Sequence, residues 1–126
     1  MKVKTHDLTG AALDYAVAIC NWPELVWGDT IGLSAHARGL IVIPERKEPD
    51  CYWSPSTNWS QGGPLVQQGL LMVSPNPGSG WRCQAFLDTN IYEGISLLVA
   101  AMRCYVGQTI GGEIDIPNEL IKENNP

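Results

Sequence analysis

The chain has 126 residues, with 13 Asp and Glu against 8 Lys and Arg and a net charge of −5. This length suits one domain, since a single hydrophobic core usually serves roughly 100–200 residues. With 44% hydrophobic and 17% charged residues, the composition excludes disordered and fibrous proteins. No run reaches the roughly 18 continuous apolar residues of a membrane span, and we expect no signal peptide at the polar start. The acidic balance argues against broad nucleic-acid binding, because phosphates would be repelled.

The four cysteines indicate neither a metal site nor a redox motif. Cys20, Cys51, Cys83 and Cys104 are widely separated, and the CxxC or CxxH pairs typical of zinc ligands are absent. Disulfide pairing is possible arithmetically, but without a secretory signal we expect free thiols in a cytoplasmic protein. A cysteine at an apolar position behaves as a small hydrophobe. We therefore expect core cysteines, no metal ion and no cofactor.

A first helix is predicted to begin after Thr9 and to end near Asn21. Thr9 is a good N-cap, and the proline that follows the segment disfavours helical geometry in the residue before it. Residues at helical spacing form the buried stripe: Leu13, Ala16, Val17 and Cys20. Asp14 and Tyr15 lie off this stripe.

Short strands and turns are predicted in the middle of the chain. Residues 22–38 mix apolar residues with Gly and Asp and predict a short strand or an irregular segment. Residues 39–44 form a β-rich run, which ends at a proline and the charged turn 45–50. Residues 65–66 are also predicted as a strand.

A β-hairpin is predicted between residues 70–74 and 81–87, joined by a strong turn over 74–80. The second strand alternates. One face carries Trp81, Cys83, Ala85 and Leu87, and the other carries Arg82, Gln84 and Phe86. This pattern predicts a half-buried antiparallel strand.

A second helix is predicted to begin at Ser96, which is a good N-cap. Its apolar side carries Leu98, Ala101, Met102, Tyr105 and Val106. Glycines at 107 or at 111–112 are predicted to end it. Residues 113–120 alternate briefly and predict an edge strand before a frayed, acidic tail.

This order of elements predicts a single α+β domain over residues 1–126. We expect a small antiparallel β-sheet with the N-terminal and the C-terminal helix packed on one face. Internal repeats and a linker long enough to split the chain are absent from the sequence.

Residues 51–64 form the one stretch whose composition packing does not explain. The segment holds three aromatic residues, several hydroxyl and amide groups and no charge. Because exposed aromatic area costs solubility, its presence in a loop indicates a function. The ligand-binding residues that we predict in it are Tyr52, Trp53, Ser54, Ser56, Thr57, Trp59, Gln61, Gly62 and Gly63.

We predict that the three aromatic rings form a platform on which a planar ring stacks, with hydroxyl and amide groups adding directional hydrogen bonds. Gly62 and Gly63 would let backbone N–H groups approach an anionic group. Arg103, the only cation of the second helix, is a further candidate for that anion. The alternative to a binding site is a structural loop. In it the prolines fix the turns, the tryptophans pack against the end of the sheet, and the Arg103 side chain covers apolar surface.

The sequence carries no recognisable catalytic signature. A Walker loop, GxGxxG, HExxH and GxSxG are absent, and neither His6 nor His36 lies in a motif that would place it as a base. Both histidines are predicted to face solvent, Arg82 to face the open side of the sheet, and Asp7 to complement the first helix dipole. A catalytic pair of carboxylates that are distant in the sequence but meet in the fold is left open. We predict no catalytic residue.

Several parts of the chain carry a resemblance to a known family: residues 4–5 and 8–18, the motif YWSPSTNWSQGGP at 52–64, residues 100–106 and residues 113–120. In these parts the chain resembles the NinX-like family of small tailed-phage and prophage proteins of unknown function. The resemblance implies a phage origin, a location in the host cytoplasm and a dispensable accessory role. It implies no activity and no catalytic residue.

Three functions are left open. The first is a non-enzymatic phage protein that binds a small nucleotide-like molecule or a host signal through the aromatic, hydroxyl-rich loop. The second is a protein–protein inhibitor of a host defence factor, with the aromatic loop as hot spot and the acidic surface mimicking nucleic acid. The third is a structural accessory role. A homo-oligomer is expected, because small chains often build pockets between subunits; membrane and nucleic-acid partners are not.

Overall fold

The structure is a computed structural model. It describes residues 1–24, 26–28, 34–35, 41–43 and 51–124. The predicted charged turn at 45–50 and His36 lie outside these residues.

Within the described residues the chain forms four helices and eight strands. The helices are α1 (Gly10–Asn21), α2 (Trp59–Gln68), α3 (Leu97–Thr109) and α4 (Asn118–Asn124). The strands are β1 (Lys2–Lys4), β2 (Ser34–Ala35), β3 (Ile41–Val42), β4 (Tyr52–Trp53), β5 (Leu71–Pro75), β6 (Trp81–Ala85), β7 (Ile91–Gly94) and β8 (Glu113–Asp115). They pair antiparallel in three small sheets, β1-β8, β2-β3-β4 and β5-β6-β7. The predicted α+β class is confirmed.

The core lies between α3 and the inner face of the β5-β6-β7 sheet. The predicted hairpin is confirmed, with β5 and β6 paired from Leu71 opposite Ala85 to Pro75 opposite Trp81. α1 packs on the other side of α3 and also contacts α4. No helix in the described ranges is long and apolar enough to cross a membrane.

Both predicted helices form where their caps indicate. α1 follows Thr9 and ends at Asn21. Ser96 caps α3, since its hydroxyl accepts a hydrogen bond from Val99 N at 3.1 Å. The Ser96 cap satisfies a backbone donor that has no partner within the helix. Thr9 has the extended backbone of an N-cap residue, but its side chain makes no cap hydrogen bond.

Four local predictions are wrong. The predicted strand 65–66 lies in α2, because Asn58 caps a helix that continues through a Gly-Gly-Pro run of low helix propensity. Residues 118–120 were predicted in an edge strand but begin α4, which buries Leu120 in the core. β6 ends at Ala85, so Leu87 is 89% exposed rather than on the inner face. Asp14 is buried with the apolar stripe, because α1 is covered on several sides.

The cysteines occupy the apolar positions predicted for them. Cys51, Cys83 and Cys104 are buried, Cys20 is half-buried, and all four are free thiols. His6 is exposed, as predicted, and one face of its ring stacks on Tyr92 at 4.3 Å between centroids.

Candidate functional site

The segment singled out by its composition folds as a strand, a tight turn and a helix. Strand β4 leads into the turn at 54–58, where Thr57 N and Asn58 N both donate to Ser54 O at 3.0 and 2.9 Å. The Asn58 side chain then accepts a hydrogen bond from Ser60 N at 2.9 Å and begins α2. Hydrogen bonds between backbone groups and with the Asn58 side chain therefore hold the conformation of the turn.

Gln61 links α2 back to the strand that precedes the turn. Its Oε1 accepts a hydrogen bond from Ser54 N at 2.7 Å, and its Nε2 donates to Tyr52 O at 2.7 Å. Both ends of the amide are thus occupied by backbone groups. Gln61 holds the turn in one conformation and is not available to a ligand.

Replacing Gln61 by Ala is expected to destabilise the protein by about 2 kcal/mol, because two part-buried hydrogen bonds of about 1 kcal/mol each are lost. Urea denaturation measures the change. Gln67→Ala, an exposed site in the same helix, is the matched control and should shift stability by less than about 0.5 kcal/mol. Equal effects of the two substitutions would contradict the linking role.

The buried Asp14 carboxyl fastens the turn to α1. Asp14 is 4% exposed, and its Oδ1 accepts a hydrogen bond from Ser56 N at 2.9 Å. Burial raises the pKa of Asp14 from its ordinary 3.8 to about 7, and the Ser56 N–H and hydroxyl oppose this rise. Ser56, itself 3% exposed, is a structural contact of the site.

Gly62 and Gly63 lie inside α2 and do not form the anion-binding loop that we predicted. The Gly62 N–H donates to Asn58 O at 2.8 Å within the helix. A Cβ at Gly62 would overlap the Pro55 carbonyl oxygen and lie 2.9 Å from a Leu98 methyl. Gly62 is therefore needed for close packing of α2 on the turn.

The three aromatic rings of the segment lie in different environments, which corrects the expectation of a shared platform. Trp53 is 4% exposed and packs edge-on against Trp22, with ring centroids 5.0 Å apart. Tyr52 is half-buried. Trp59 is 56% exposed. Of the three rings, Trp59 is the most exposed to a ligand.

A cleft of about 260 Å³ lies beside the Trp59 ring, and we call it the Trp59 cleft. It is lined by Ser56, Thr57, Trp59, Ser96, Leu97 and Leu98. Trp59 is the first residue of α2 and Leu97 the first of α3. The amino-terminal ends of two helices, each with a partial positive charge, therefore meet at a cleft whose lining carries no charged side chain.

Arg103 lies outside this cleft. Its Nε donates to Leu8 O at 2.8 Å and its Nη1 to Glu93 O at 2.6 Å. Burial lowers the pKa of Arg103, and the nearby Asp7 carboxylate opposes that shift. The guanidinium therefore joins α3 to two neighbouring segments of the chain through backbone carbonyl groups.

Sequence reasoning missed two contributions to the site. Ser96 and the start of α3 line the cleft although they are far from residues 51–64 in the chain. Asp14 was missed as well, and a signal for it exists: it is an acid in the middle of an apolar helix with no cation at i±3 or i±4. Such an acid is either solvent-exposed or buried with a specific partner.

One comparison with known proteins identifies the family of the chain. The family model described as Bacteriophage P22, NinX matches residues 4–108. The chain belongs to this family. The matched range contains α1, the whole of the β4–turn–α2 segment and α3 except its last residue. A search of curated proteins found no match to this NinX family member.

Proposed function

We propose that this NinX family member is a non-enzymatic phage accessory protein that acts in the host cytoplasm. It binds a small nucleotide-like ligand, or a host signal of that chemistry, in the Trp59 cleft. The observation that carries the proposal is Trp59 itself, a tryptophan that is 56% exposed at the rim of a cleft.

The environment of Trp59 suits stacking. An aromatic side chain contributes roughly 1–3 kcal/mol to the binding of a nucleobase. Gly63, one helical turn further on, sits against the ring, since a Cβ built there would lie 3.4 Å from Trp59 Cε3. Because glycine has no side chain, that part of the ring stays uncovered.

The amino-terminal ends of α2 and α3 at the cleft carry a partial positive charge that favours an anionic group of the ligand. The N–H groups of Ser60 and Val99 are already taken by the caps Asn58 and Ser96, so the helix ends would act on an anion mainly through the partial positive charge of the two helix dipoles. The cleft, at about 260 Å³, is near the lower limit of about 300 Å³ for small-molecule sites. This size favours a ligand no larger than a mononucleotide.

Isothermal titration with linear and cyclic mononucleotides tests the proposal. Wild-type protein should bind at least one of them saturably, and Trp59→Ala should weaken that binding by about 5- to 150-fold, which corresponds to 1–3 kcal/mol of stacking. Trp59→Phe keeps an aromatic face and should retain most of the affinity. Gly63→Val leaves the tryptophan in place but covers its ring, so it should also weaken binding.

Val26→Ala, at a residue that is 58% exposed and does not line the cleft, is the control and should bind as wild type does. The absence of saturable binding by well-folded protein would overturn the proposal. A stoichiometric host protein that Trp59→Ala no longer captures would favour the inhibitor function. If Trp59→Ala changed stability alone, a structural accessory role would be favoured instead.

A further inference from the structure

The Ser56 hydroxyl at the Trp59 cleft has hydrogen-bonding capacity that the protein does not use. Ser56 is 3% exposed, and its Oγ makes no hydrogen bond of acceptable geometry to any described residue. A buried polar atom without a partner costs free energy, so native proteins seldom keep one without a reason. Because Ser56 lines the cleft, a ligand bound there can supply the missing partner.

A second serine at the cleft, Ser96, keeps an unused hydroxyl hydrogen. Its Oγ accepts a hydrogen bond from Val99 N at 3.1 Å. This bond uses a lone pair of the oxygen and leaves the O–H available as a donor. In the part of the chain that the structure describes, Ser96 Oγ donates to no acceptor. The hydroxyl also lies at the positive end of the α3 dipole, which favours a negatively charged acceptor.

The charges around the two hydroxyls permit an anion. The lining of the cleft carries no charged side chain. The Asp14 carboxyl lies behind Ser56, whose backbone N–H donates to its Oδ1 at 2.9 Å. Because burial raises the pKa of Asp14 to about 7, this carboxyl is mostly protonated at pH 6 and does not repel an anion there. A protonated carboxyl can also donate to a serine oxygen while the serine donates to a ligand.

We propose that the hydroxyls of Ser56 and Ser96 bind the phosphate group of a mononucleotide whose base stacks on Trp59. This inference rests on the proposed function of the Trp59 cleft and names the contacts of the ligand's anionic end. A phosphate has three strong acceptor oxygens, so it can accept from both hydroxyls at once. Rotation about the Cα–Cβ bond of Ser56, which has three staggered positions, directs its hydroxyl into the cleft.

Isothermal titration at pH 6 with three kinds of probe tests the proposal. The probes are the four common ribonucleosides, their 5′-monophosphates and ribose 5-phosphate. Wild-type protein should bind a monophosphate at least about 10- to 150-fold more tightly than its nucleoside, the factor expected for one hydrogen bond to a charged group. Ribose 5-phosphate should bind measurably, since it retains the phosphate without the base.

Substitutions at the two serines separate the ligand contact from the helix cap. Ser96→Asp keeps the capping acceptor but replaces the donor by a negative charge, so it should remove the preference for the monophosphate without lowering thermal stability. Ser96→Asn keeps the cap and supplies N–H donors, so it should retain most of the preference. Ser56→Ala should reduce the monophosphate affinity about tenfold or more. Ser60→Ala, at an exposed serine that does not line the cleft, should bind as wild type does.

The outcomes distinguish this inference from the proposed function. If the nucleoside binds as tightly as its monophosphate, or if Ser96→Asp and Ser56→Ala leave the monophosphate affinity unchanged, the phosphate contact is wrong and base stacking stands. If ribose 5-phosphate binding depends on Ser96 while Trp59→Ala leaves the monophosphate affinity unchanged, the phosphate contact stands and base stacking is wrong. The absence of binding by every probe would overturn both.

Discussion

Gly62→Ala is expected to destabilise the protein by about 1–3 kcal/mol, whereas Gly63→Ala is expected to leave it unchanged or to stabilise it by up to about 1 kcal/mol. The two glycines are adjacent in α2, so they share helix propensity and position in the sequence. They differ in their surroundings. A methyl group at Gly62 overlaps the Pro55 carbonyl oxygen, a backbone atom that cannot move without the turn, while one at Gly63 makes an ordinary contact with the Trp59 ring.

Urea denaturation of the two variants beside the wild type measures both free energies of unfolding. Ligand titration of the same proteins adds a second readout, because displacement of the turn at Gly62 also displaces Ser56 and Thr57 in the Trp59 cleft. Equal stability of the two variants would show that α2 does not pack on the turn as closely as the structure has it.

Stability is expected to fall as pH rises from about 4 to 7, by up to about 4 kcal/mol, because of Asp14. The pKa of its carboxyl is about 7 in the folded protein and 3.8 ordinarily. Between these values the folded state retains a proton that the unfolded state has released, so stability decreases with increasing pH. Each pKa unit corresponds to 1.36 kcal/mol, and three units give the upper limit. Above pH 7 the carboxyl is ionised in both states, so the whole free-energy cost of burying its charge is present.

Asp14→Asn should remove this pH dependence and make the protein more stable than wild type at pH 8, since the amide oxygen can still accept from Ser56 N without a buried charge. Asp14→Ala should be less stable than Asp14→Asn at every pH, because it leaves that N–H without its acceptor. Unfolding curves between pH 5 and 8 measure these differences. Glu24→Gln, which removes one negative charge from an exposed turn, controls for net charge. A wild-type stability that rises over this interval would contradict the assignment.

The contacts around the turn join distant parts of the chain into one unit. Asp14 holds it from α1, Gln61 from α2, and Leu98 of α3 packs beside Gly62. These contacts fix the proposed Trp59 cleft in one conformation, and such preorganisation reduces the ordering cost of binding a ligand. The buried polar residues of the segment therefore serve the site by fixing Trp59 at its rim.

Prediction from sequence succeeded where the signal is local. The N-caps Thr9 and Ser96 marked the two long helices, and the alternation of residues 81–85 marked a strand and its inner face. It failed at residues 65–66, where Gly62, Gly63 and Pro64 make α2 unfavourable by propensity alone. Packing of α2 against the turn and α3 outweighs that cost, and packing of this kind joins residues that are far apart in the chain.

The amino-acid sequence alone determined the acidic charge, the α+β class, the resemblance to the NinX family and the unusual uncharged aromatic segment. Composition, caps and alternation depend on neighbouring residues, so they can be followed along the chain. The tertiary structure decided which aromatic residue is accessible. Trp53 and Trp59 lie six positions apart in the same motif, yet one is buried against Trp22 and the other lines a cleft with the start of α3. Burial is a property of what packs on a side chain, and those partners come from other parts of the chain.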